Sequence, residues 1–164
     1  SYLLTPATVC LAVPLYEQLE LLKKNKVAVV CGILSGTLAS LTGIFVLCML
    51  FGFNHQQYVT MLPKSITTAI GIGISEELGG IVTITVAVII ITGILGNVIA
   101  DTVFHIFKIK NPLAKGLALG TASHAIGTAR AIEMGPVEGA MSSLAVAVAG
   151  LLTVVFVSGF AQLI

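Results

Sequence analysis

The sequence predicts an all-α polytopic membrane protein in which two short, polar, interrupted segments oppose one another among the transmembrane helices. Three observations carry that class. The 164 residues are 57% hydrophobic and 9% charged, with a mean hydropathy of +1.08, whereas soluble domains are about 25% charged. Charged side chains are absent from Val27 through Pro63, from Gly79 through Ala100 and from Gly139 to Ile164, and each run reaches the ~20 residues a spanning helix needs. Finally, the Gly-, Ala- and Thr-rich stretch from Gly116 to Gly135 carries His124, Arg130 and Glu133. Ionisable groups at bilayer depth are costly, so they face a protein interior or an aqueous cavity and mark a pathway.

The elements follow in order. Tyr2 to Pro14 is too short to span and reads as the back half of a helix whose beginning is missing; Pro6 kinks or interrupts it and Pro14 ends it. No basic region precedes it, so it is not a signal peptide. Glu17 to Lys26 is polar, with Lys23, Lys24 and Lys26, and the positive-inside rule places it as an inner loop. Val27 to Phe53 is a long span whose small residues Gly32, Ser35, Gly36, Ala39, Ser40 and Gly43 form a stripe for close helix packing. Asn54 to Thr60 lacks Lys and Arg and reads as an outer loop. Leu62 to Leu78 is only moderately apolar and too short to cross comfortably. Gly79 to about Phe107 spans, and His105 to Lys115, with three lysines, is again an inner loop.

Two basic loops on one side require an even number of crossings between them. The spans 27–53 and 79–104 already supply two, so 62–78 enters and leaves by the outer face as a re-entrant segment. By the same reasoning 113–134 is re-entrant from the inner face and Val137 to Ile164 is the last span; a full crossing by 113–134 is the alternative. The two short segments also share residues. Ala69-Ile70-Gly71 with Glu77 and Gly79 recurs as Ala125-Ile126-Gly127 with Glu133 and Gly135 at a constant offset. Each copy precedes a span, and the two spans run in opposite directions, the pattern of an inverted repeat whose interrupted helices build a substrate site. Residues 1–164 thus read as one membrane domain.

Candidate site residues come from these two segments. On a helix Gly116, Gly120, Ser123 and Gly127 share a face where another backbone can approach, while Thr121, His124 and Thr128 occupy the adjacent face. Arg130 at depth needs an anionic ligand or a carboxylate, with Glu133 and Asp101 as internal choices. Lys64, Ser65, Thr67 and Thr68 lie near a helix start, where unpaired N–H groups favour anions. Two such starts facing each other form a site for a small carboxylate. Asp101, Glu76, Glu77 and His124 are all open as proton relays.

Several classes are excluded. A net charge of +1 does not fit nucleic-acid binding, and no run of basic residues marks a lipid-headgroup site. Cys10, Cys31 and Cys48 lack metal-ligand spacing and read as small buried hydrophobes. No nucleophile–base pair or phosphate-binding glycine loop is present, so neither an enzyme nor a cofactor is expected.

The run GLALGTASHAIGTARAIE, with LPKSITT, GGI at Gly79, TGILG at Thr92 and the early PATVCLAVPLY, closely resembles the LrgB/CidB family over nearly the whole chain. The resemblance implies a bacterial inner-membrane protein and two functions. One is transport of small monocarboxylates, as in plant plastid relatives that carry glycolate and glycerate and bacterial relatives linked to pyruvate; lactate is a further candidate. The other is antiholin-like modulation of murein hydrolase export and lysis with an LrgA/CidA-type small membrane protein; a second copy of the chain, in a homo-oligomer, is a further expected partner. It also implies that the functional positions are Ser123, His124, Gly127, Thr128 and Arg130 together with Pro63, Lys64, Ser65, Thr67 and Thr68. The family pattern usually has Pro after the paired Thr; here Ala69 stands there, which puts a proline-enforced break at that point in doubt. The family is longer at its N-terminus.

Overall fold

The computed structural model describes residues 16–164. The expectations for Pro6, Cys10 and Pro14 lie outside the described residues. Among the described residues the helices are, in order, α1 (Leu19–Lys24), α2 (Lys26–Phe51), α3 (His55–Met61), α4 (Thr68–Glu77), α5 (Val82–Ile106), α6 (Pro112–Met134) and α7 (Pro136–Ala161). The chain is an all-α polytopic membrane protein. Among the described residues α2, α5 and α7 are long and apolar enough to cross a membrane, with window hydropathies of 2.1, 2.4 and 2.4. Their outward faces carry Leu50, Phe51, Val98, Leu151 and Val155, the side chains a hydrocarbon environment accepts.

Two local expectations are corrected. The polar stretch 17–26 is not all loop, because Leu19–Lys24 forms one and a half turns with Glu20 in its first turn and Lys23 and Lys24 in its last, the charge order that complements the helix dipole. Asn54 to Thr60 is not an outer loop but α3. A capping box starts it: the Asn54 side chain accepts from Gln57 N–H at 2.9 Å, and Gln57 Oε1 accepts from Asn54 N–H at 3.0 Å. Tyr58, Val59 and Thr60 then turn inward and are fully buried.

Helices α3 and α4 are the two limbs of a hairpin that lies against the first half of α5. The Thr85 hydroxyl lies 2.9 Å from Thr60 O and 2.8 Å from Ser75 Oγ. It has one proton, so it donates to the carbonyl and accepts from the serine. Ile81 N–H donates to Thr60 Oγ1 at 2.9 Å. Farther along, Gly71 lets α4 approach so closely that a Cβ there would strike Ile89. The pairs 75–85 and 71–89 run in opposite directions, so the turn between α3 and α4 points toward the middle of α5.

Helix α6 is broken. His124 has φ 43° and ψ −139°, far from helical values. A Cβ on Gly127 would meet Leu119 O at 2.7 Å, whereas a straight helix would hold residues eight apart at about 12 Å. The two halves therefore reverse direction at His124. The first half pairs Gly116 with Glu138 O and Gly120 with Ser142 O of α7, running parallel to it. The second half pairs Thr128 with Ser142 and Ile132 with Gly139, running antiparallel. Glycines at 116 and 120 are required because the α7 backbone occupies the space a side chain would need.

On α5, Gly93 makes room for the His124 ring and Gly96 for Ser123, while Arg130 reaches Asp101 farther down. The tip of this second hairpin thus lies level with Ile89 to Gly93, approached from the opposite end of α5 to the first. The recurring triplets hold equivalent places: Ala69-Ile70-Gly71 opens α4 and Ala125-Ile126-Gly127 opens the second half of α6.

The stripe on α2 divides. Gly32 and Gly36 pack internally, with Cβ positions 3.3 Å from Leu117 and Thr121 respectively, while Gly43 meets nothing within 4 Å. Cys48 is buried in the cluster of Leu41, Ile44, Tyr58 and Leu62. Cys31, expected inside, is exposed, because it lies on the opposite side of α2 from the buried row Val29, Ile33, Thr37 and Leu41.

Candidate functional site

The two hairpin tips meet α2 and α7 near the middle of the fold, and hydroxyls converge there. Lys64 and Ser65 lie in the turn between α3 and α4. Lys64 is half-buried, and its ammonium donates to Ser65 Oγ at 2.8 Å. Ser40 Oγ of α2 donates to the same oxygen at 3.1 Å. The turn is tight: Lys64 N–H donates to Met61 O at 3.1 Å and Ile66 N–H to Pro63 O at 3.4 Å. Thr67 follows as the extended N-cap of α4, its hydroxyl making no cap bond, and Thr68 is the first helical residue; both are half-buried. Because the Thr67 hydroxyl makes no cap bond, it leaves the first N–H groups of α4 without its oxygen as an acceptor, which suits an electron-rich partner.

From the other hairpin, Thr121, Ser123, His124, Gly127 and Thr128 are all buried. Thr121 donates to Leu117 O, and Thr128 lies 3.0 Å from His124 O and 2.8 Å from Ser142 Oγ. His124 Nε2 stands 2.9 Å from Ile89 O. A carbonyl only accepts, so Nε2 carries a proton and donates it to Ile89 O.

Arg130 does not join them. Its guanidinium binds the Asp101 and Glu133 carboxylates, its side chain is 33% exposed, and it lies toward the far end of α5. Both internal partners considered from sequence are used at once, because Asp101 and Glu133 reach the same fork from different helices. Of the two choices open to Arg130, an anionic ligand or an internal carboxylate, the structure shows the internal pairing.

The spatial arrangement adds three residues that the sequence did not assign to the site. Thr37 and Ser40 of α2 and Thr153 of α7 line a cavity of about 10 Å³ with Ser65 and Thr121. Thr37 Oγ1 is buried without a hydrogen-bond partner. Hydroxyls within apolar spans were the available signal, but Thr42 and Thr83, also in spans, are exposed, so type alone could not choose. Among the described residues no three His, Cys, Asp or Glu side chains gather where they could hold a metal.

A family model described as the LrgB-like family matches residues 1–163. The chain is 42% identical over 160 residues to the antiholin-like protein LrgB of Bacillus cereus (strain B4264), covering 98% of this chain and 70% of the relative. The same identity and coverage hold for the antiholin-like protein LrgB of Bacillus anthracis (strain A0248). No solved structure matches.

Proposed function

We propose, because this chain belongs to the LrgB-like family, that it acts as an antiholin-like protein of a bacterial cytoplasmic membrane, working with an LrgA/CidA-type small membrane protein to modulate lysis. The observation that carries this reading is the 42% identity to antiholin-like proteins across 98% of the chain. The partner contacts an outward face, not the Gly32–Gly36 face, which α6 already fills. Restoring the chain to a bacterium that lacks its own LrgB-like protein is expected to return lysis to the parental level and to co-purify the small partner. Unchanged lysis and no co-purified partner would sink the reading.

A second reading is favoured by one feature of the site. Two opposed hairpin tips bring Lys64, Ser65 and the buried His124 level with the middle of α5, the arrangement by which interrupted helices hold a solute between repeats. A cation beside hydroxyl donors fits a small monocarboxylate such as glycolate, glycerate, pyruvate or lactate. Saturable uptake of a labelled acid into proteoliposomes, lost in Lys64→Gln, tests it; no uptake of any of the four overturns it. The two readings are compatible, since a transporter can need that small partner.

A further inference from the structure

We propose that the hydroxyl-lined chamber between α2, the α3–α4 turn, α6 and α7 takes one oxygen of a carboxylate, which makes Thr37 a binding residue of the solute site beside Ser65, with Ser40 positioning Ser65. This rests on the transport reading above. The lining separates into donors and acceptors once each proton is assigned. Thr121 gives its proton to Leu117 O and Thr153 to Ala149 O at 2.7 Å, so neither has a proton left for an occupant. Ser65 Oγ already accepts from Lys64 and Ser40, which leaves its own proton free. Thr37, 3% exposed, has no partner. Two unused O–H donors therefore face the chamber, and the remaining N–H groups of Lys64 stand beside it.

A buried hydroxyl without a partner is rare in native structures and calls for an absent species. The volume, about 10 Å³, admits one oxygen-sized atom. A metal cation is a poor occupant, because the lining holds no carboxylate and Lys64 places a like charge next to it. A carboxylate oxygen accepts only and matches the free donors of Thr37 and Ser65, with its second oxygen toward Lys64. One ammonium balances one carboxylate, so the chamber selects monocarboxylates over dicarboxylates. The bond between Ser40 and Ser65 couples occupancy on the first hairpin to α2.

The test is binding of glycolate, pyruvate and lactate to the purified full chain in detergent, read by melting temperature, with succinate as the dicarboxylate. Wild type is expected to gain thermal stability with the monocarboxylates and not with succinate. Thr37→Val should weaken that binding on the order of tenfold or more, the loss of one hydrogen bond to a charged group. Thr37→Ser, which restores the donor, should bind within a few-fold of wild type. The ligand-free melting temperature of each variant reports folding separately. If Thr37→Val and Ser40→Ala bind the acids as wild type does while Lys64→Gln does not, the chamber proposal is overturned and the transport reading stands. If wild type neither binds nor transports any of these acids, the transport reading falls and the chamber proposal falls with it.

Discussion

Replacing His124 by alanine and, separately, by glycine isolates the backbone at the break in α6. Both variants lose the imidazole bond to Ile89 O, so the difference between them reports backbone geometry alone. In a helix interior alanine is favoured over glycine by about 0.8–1.0 kcal/mol. His124 lies at φ 43° with ψ −139°, where a Cβ costs on the order of 1–3 kcal/mol and glycine escapes that cost. Subtracting glycine's larger loss of freedom on folding, roughly 0.5–1 kcal/mol, leaves His124→Gly more stable than His124→Ala by about 0–2.5 kcal/mol, centred on about 1 kcal/mol. The usual order is reversed. Unfolding both variants in mixed micelles by titration with a denaturing detergent measures the difference. An alanine variant more stable than the glycine variant by about 1 kcal/mol would refute the break, since that is the order of a continuous helix.

Further outcomes follow from packing and from the polar contacts. Gly120→Val places side-chain atoms on Ser142 O and Ala145 of α7 and is expected to cost at least about 1–3 kcal/mol. By contrast Gly43→Ala, with nothing within 4 Å of the new Cβ, should stabilise by about 0.5–1 kcal/mol; the same detergent titration reads both. Thr85→Val leaves the Thr60 carbonyl and the Ser75 hydroxyl without their shared partner, a loss of about 1–3 kcal/mol, and should raise hydrogen exchange of the α3–α4 hairpin before that of α7. Arg130→Gln is expected to leave the KM for any transported monocarboxylate within about twofold, because an exposed ion pair contributes little. Lys64→Gln should abolish saturable uptake; equal losses in the two variants would return Arg130 to the solute site.

The amino-acid sequence by itself determined the membrane class and the spans, because burial in hydrocarbon demands runs of apolar residues whose length depends only on bilayer thickness. Helices α2, α5 and α7 were legible for that reason, as was the close packing of Gly116 and Gly120. Helix α3 was not, since its seven residues carry too little periodicity, although the Asn54 and Gln57 capping pair was a local signal for it. Which polar groups meet was decided only in three dimensions. Asp101 and Arg130 lie on different helices and are joined by the way α6 folds back along α5. Cys31 and Thr37 share one span, yet one faces outward and the other lines the chamber, because helix rotation is set by neighbouring helices and not by hydropathy. The positive φ at His124 likewise has no signature in residue type. It is imposed where Gly93 and Gly96 of α5 open space for the tip and the Ile89 carbonyl holds the ring, a tertiary constraint that overrides the helical preference of the chain around it.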